Sequence, residues 1–270
     1  MAALHIFSYL PNPRVWKATI AARLCGVEIE VRGASPNELS QRLWDFDARP
    51  IAAVPADVLA TTVGTGRIGF AKSTLYKTAA FLETQPFGTV PAAFSPDGCT
   101  GIFESNSIMR VVARLGKERF PLYGRDAYES SRIDSFLDAS LVFARDGQLY
   151  LLALRDGGVT RELYARVKDS FVTYLSGIEH ALAPDRSVLV GDNIMLADIC
   201  FVAELCLFHN ERARRSALAA NGFSLLLTDD FAARYPRTAK HFRKLLVHPA
   251  FAPDVSGYLE KIEKSGSARK

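Results

Sequence analysis

The stretch FGTVPAAFSPDGCTGIFESNS, residues 87–107, constrains the chain more than any other. It reads as a short strand entered through Val90-Pro91, a polar Ser-Pro-Asp-Gly turn, a second short apolar strand, and a helix opened by Glu104-Ser105. A proline can head a strand only where no ladder needs its missing N–H, and an X-Pro bond reaches the cis form at a cost of about 0.5–1 kcal/mol. Val90 is left with main-chain groups that can pair outside the sheet. The helix beginning at Glu104 and Ser105 offers unpaired N–H groups, the positive end of its dipole and a hydroxyl, a combination suited to a small carboxylate. Main-chain pairing beside carboxylate capture is how a short peptide is held.

Upstream, residues 3–7 alternate as a strand, Val15–Leu24 has helical periodicity that stops at Gly26, and Val27–Val31 reads as a parallel strand, completing a β-α-β unit. Residues 42–75 then form an insert rich in Pro, Gly and Thr. Its Trp44, Phe46, Ile51, Val54, Val58, Ile68 and Phe70 give it apolar surface to bury, so an ordered excursion near the site is expected. After a helix over Ser105–Leu115, residues 117–124 read as a linker. From Asp126 onward, apolar residues recur three and four apart over Tyr128–Leu141, Arg161–Leu182, Leu196–Arg212 and Pro236–Val247, as core-facing helices require. The fold class is therefore α/β plus all-α, with an N-terminal domain over residues 1–116, a linker over 117–124 and a helical domain over 125–270.

A hydrophobic content of 49% suffices for two cores, and 33 basic against 29 acidic residues leave a net charge of +4 that points to neither nucleic acid nor a membrane surface. There is no apolar run of about 18 residues and no leader-like start. Cys25, Cys99, Cys200 and Cys206 show no CxxC or metal spacing, which fits a reduced, cytoplasmic setting. The five histidines have no ligand spacing either, and no metal is expected. At Leu196-Ala197-Asp198 the helix start has Met195 where an oxygen-bearing cap would serve, so Asp192 or Asn193 is expected to supply the acceptor.

Several of these stretches together resemble the glutathione S-transferase superfamily. LHIFSYLPNPRVWKATIAARLCGVEIEV is similar to the family's first strand and first helix, and the Val-Pro hairpin with Glu-Ser-x-x-Ile to the second half of its thioredoxin-like domain. VLVGDNIMLADICFVAEL is similar to its VGD…LADI signature, and RYPRTAKHFRKLLVHPAF to its closing helix. The likeness extends to the transferase-like domain of the gamma subunit of elongation factor 1B and its bacterial relatives, and only residues 42–75 stand outside it.

The resemblance implies a thioredoxin-like glutathione-binding domain followed by a helical bundle, glutathione as co-substrate, a homodimer, and a small hydrophobic electrophile attacked by conjugation, displacement or ether cleavage. It also implies a site. Val90 would pair through its backbone with the cysteinyl residue beside a cis Pro91, Glu104 would hold the γ-glutamyl ammonium and Ser105 its carboxylate. Thr89 stands where the family often has a Lys or His for the glycyl carboxylate, which leaves that role to Arg14, Lys72 or Lys77. The thiol, unperturbed near 8.5, must lose about two pKa units, or about 2.7 kcal/mol. Asn12 falls on the activating position of the loop after the first strand, with Tyr9 second and Ser8 slightly early. Phe136, Phe143 and Tyr150 lie where second-substrate contacts arise, though aromatics at helical spacing are more often core. The gamma-subunit likeness implies the alternative, a non-catalytic module that assembles with translation-factor partners.

Overall fold

Strand β1 (Leu4–Tyr9) lies between a parallel neighbour, β2 (Ile29–Ala34), and an antiparallel one, β6 (Ala92–Phe94), which in turn pairs with β7 (Gly101–Phe103), giving the order β2-β1-β6-β7. These coordinates are a computed structural model, which describes residues 2–60, 63–65 and 74–267. Helix α1 (Pro13–Cys25) joins the first two strands. It begins at an Asn12 cap with proline in its first turn and ends at Gly26, whose φ of 69° is the left-handed geometry that lets its N–H close on Ala22 O. The second strand runs three residues further than its apolar pattern suggests, because the register from Leu4↔Ile29 continues to Tyr9↔Ala34. Gly33 permits this: a Cβ there would stand 1.8 Å from Ser8 O.

The insert is built of β3 (Leu43–Trp44), α2 (Ala56–Ala60), β4 (Val63–Thr65) and β5 (Thr74–Lys77), with the strands in the order β3-β5-β4. Trp44 and Leu75 are fully buried in one cluster with Phe7, Phe81, Ala92 and Phe94. Trp44 meets Phe7 and Phe81 edge to face at 5.6 and 5.9 Å, geometry favoured by the ring quadrupoles. Ile68 and Phe70 lie outside the described residues. A short helix that the periodicity did not reveal, α3 (Ala79–Thr84), leads back toward the Val-Pro segment, capped by Thr78 Oγ1 accepting from Phe81 N at 3.0 Å. Helix α4 (Ser105–Leu115) follows β7 over the residues the sequence pattern marks.

The chain divides into two compact units between Phe120 and Pro121, and the second unit is all helical among its described residues. It comprises α5 (Ala127–Asp156), α6 (Arg161–Ala181), α7 (Leu196–Phe208), a 3-10 turn at His209–Arg214, α8 (Arg215–Ala220), α9 (Phe231–Arg234), α10 (Pro236–Leu246) and α11 (Ala252–Ser267). Helix α5 runs well past Leu141, through Gly147 to Asp156. A Cβ at Gly147 would meet Phe208 Cδ2 at 3.3 Å, so the missing side chain lets the phenyl ring lie close to the helix. Phe143 and Tyr150 are core: Phe143 stacks on Tyr174 at 5.0 Å, and the Tyr150 hydroxyl donates to Glu211 Oε1 at 2.7 Å. Phe136 is half-buried, with the Arg132 guanidinium 4.9 Å over its ring.

The start of α7 corrects the expected cap. Neither Asp192 nor Asn193 supplies the acceptor; Asp198, fully buried, reaches back to accept from Met195 N at 2.9 Å and also accepts from Leu189 N at 3.0 Å. This is half of a capping box, with the carboxylate serving the N–H groups that a cap hydroxyl would leave to it. No helix among the described residues is long and apolar enough to cross a membrane.

Candidate functional site

The carboxylate end of the site is the junction between β7 and α4. Glu104 turns strand into helix with φ 66° and ψ 121°, a conformation that costs a non-glycine residue on the order of 1–3 kcal/mol and persists only where its surroundings enforce it. Its carbonyl accepts from Ile108 N at 3.0 Å while its side chain is exposed. Ser105 and Asn106 follow in the first turn, both buried. Behind them stands Lys17, at 1% exposure the most deeply placed cation on α1. Its Nζ donates to Asn106 Oδ1 at 2.8 Å and to Ser105 Oγ at 3.3 Å.

The sequence places Lys17 on the helix after the first loop without giving it a site role, and does not mark Asn106. Ser105 is 88 residues from Lys17, and only the oddity of a lysine inside the apolar run Val-Trp-Lys-Ala-Thr-Ile could have drawn attention to it.

The strand end at Val90 is the second element. Pairing between β1 and β6 runs from His5↔Phe94 to Phe7↔Ala92, and Val90 lies two residues beyond its end. The Val90-Pro91 peptide is cis, and Pro91 is buried. Tyr9 and Val90 both pack, half-buried, on the cluster around Trp44 and Phe81. The insert holds the approach to Val90: Lys77 Nζ, 4.8 Å over the Trp44 ring, donates to Gly88 O at 2.8 Å. Thr89 is half-buried between Gly88 and Val90, and Lys72 lies outside the described residues.

In the loop after β1 the three thiol-activating candidates sit differently. Asn12 is 1% exposed: its Oδ1 accepts from Arg14 N at 3.0 Å as the cap of α1, and its Nδ2 donates to Ser8 Oγ at 3.0 Å. Ser8 is itself fully buried. Both side chains are turned into the protein and spent on each other or on the helix, because strand alternation sends Ser8 to the face opposite Tyr9. Arg14 is half-buried in the first turn of α1. Of the loop candidates, Tyr9 is the one that packs on the cluster Val90 also meets. Asn12→Ala is accordingly expected to cost about 1 kcal/mol of stability through the lost cap, read in urea unfolding, with the titration of any bound thiol unmoved.

These elements define the fold of a glutathione transferase. The chain superposes on a glutathione transferase of Phanerochaete chrysosporium with a TM-score of 0.65 at 16% identity, over 98% of each chain. It superposes on another from Methylobacterium radiotolerans, solved in complex with glutathione sulfonate, with a TM-score of 0.61 at 18% identity, over 93% of this chain and 94% of that one. In sequence it is similar to the probable elongation factor 1-gamma 1 of Arabidopsis thaliana, 27% identical over 255 residues that make up 92% of this chain and 48% of the relative. The chain thus spans about half the length of that relative. No family model matches. The chain thus has the fold of glutathione transferases and is similar in sequence to elongation factor 1-gamma proteins.

Proposed function

We propose that the α/β unit binds glutathione and that the bound thiol is directed at a small hydrophobic electrophile. The observation that carries this reading is the pairing of a strand that leaves its ladder at Ala92 with a helix whose first turn, at Glu104 and Ser105, is set by a strained backbone. The main chain of Val90 would pair with the cysteinyl residue. Glu104, exposed and anionic, would take the γ-glutamyl ammonium, and Ser105 with the first-turn N–H groups would take the carboxylate. Thr89, Arg14 and Lys77 stand as candidates for the glycyl carboxylate, Lys77 being already fixed beside Gly88.

Tyr9 is the residue proposed to activate the thiol. A phenol hydroxyl donating to sulfur favours the thiolate over the thiol, and a bond of this charged kind is worth about 1.5–3 kcal/mol. Glutathione serves here as co-substrate, and a homodimer in the cytoplasm is the expected setting. Ser105→Ala is expected to weaken glutathione binding by about 1–3 kcal/mol by calorimetry; unchanged affinity removes Ser105 from the site.

A second reading, a non-catalytic assembly module, is favoured by the likeness to elongation factor 1-gamma over 92% of this chain and by the burial of Ser8 and Asn12. Turnover of an aryl halide with glutathione supports the enzyme. A stable complex with a nucleotide-exchange subunit, together with no turnover, supports the module.

A further inference from the structure

We infer that Lys17 is a positioning residue that makes the α4 end of the site select a ligand carrying a free α-carboxylate. The inference rests on the glutathione-binding reading and adds to it the origin of that selectivity. An ammonium group has donors and no acceptor. The Lys17 contacts at 3.3 and 2.8 Å therefore oblige Ser105 Oγ and Asn106 Oδ1 to accept. The one proton of the Ser105 hydroxyl is then turned to some other acceptor, and none among the described residues receives it.

The first turn of α4 consequently presents donors: main-chain N–H groups and the Ser105 hydroxyl. The buried Lys17 ammonium lies behind them and fixes which way the Ser105 hydroxyl can donate. Such a surface binds an oxyanion and gives nothing to an amide N–H or an ammonium. Glu104, one residue earlier and exposed, carries the opposite charge. The two neighbouring positions together suit the ammonium and carboxylate of an α-amino acid head group held in one orientation.

The test compares glutathione with 4-aminobutyryl-cysteinylglycine, which has the same backbone but no α-carboxylate, by calorimetry on the full chain and on Lys17→Met and Lys17→Arg. The wild type is expected to prefer glutathione by about 10–100-fold. Lys17→Met is expected to lose most of that preference by weakening glutathione alone, and Lys17→Arg to keep it. A Lys17→Met variant that weakens both ligands equally, or neither, overturns the inference while leaving the binding reading intact. A wild type that binds neither ligand overturns the binding reading, and this inference with it. Should circular dichroism show Lys17→Met unfolded, the same ratio measured on Lys17→Gln decides, since glutamine keeps a polar head without the charge.

Discussion

Asp198→Ala is expected to destabilise the helical unit by about 3–5 kcal/mol in chemical denaturation. The carboxylate has 0% exposure, accepts from Leu189 N and Met195 N at 3.0 and 2.9 Å, and stands 2.9 Å from His241 Nε2. Its removal strands two buried N–H groups and takes the nearest carboxylate away from a buried imidazole. Met195 has no oxygen with which to take over. Asp198→Asn is expected to cost nearly as much, because its amide turns a donor toward one of the two N–H groups. A loss below about 1 kcal/mol for the alanine variant would show that the segment before α7 is held by its apolar contacts alone.

Tyr9→Phe is expected to raise the pKa of bound glutathione by about 1–2 units, the equivalent of one charge-assisted hydrogen bond, with a matching fall in turnover near neutral pH. The argument is positional. Tyr9 and Val90 pack on the same cluster, while Ser8 and Asn12 are buried and bonded to each other. Thiolate absorbance followed against pH checks it, with Asn12→Ala as the control that leaves the curve in place. An unmoved curve for Tyr9→Phe passes the role to main-chain N–H groups, or strengthens the assembly-module reading if no thiolate forms in the wild type.

The parts of the fold legible in the sequence are those written in local signals. Gly26 ends α1 through its own φ, and Glu104-Ser105 opens α4 at the residues where the pattern changes period. The Asp198 box could be half-read: the carboxylate was visible, but that it would fold back on Met195 N and also reach Leu189 N depends on where the preceding loop lies.

What stayed hidden is set by distant chain. Nothing within the insert says that Trp44 will pack on Phe7 and Phe81, or that Lys77 will reach Gly88. Asn12 is legible as a turn residue between prolines, but that its amide would meet both Arg14 N and Ser8 Oγ is not. Nor does the sequence tell that α5 continues past Leu141 through Gly147, where Phe208 from another helix fills the space a side chain would take.

Glutathione titrated into isotope-labelled protein, with backbone amides followed by nuclear magnetic resonance, tests the peptide site most directly. Saturable shifts centred on Val90, Ser105 and Asn106, lost in Ser105→Ala, are the predicted result. Shifts confined to the helical unit, or none at millimolar glutathione, would contradict it.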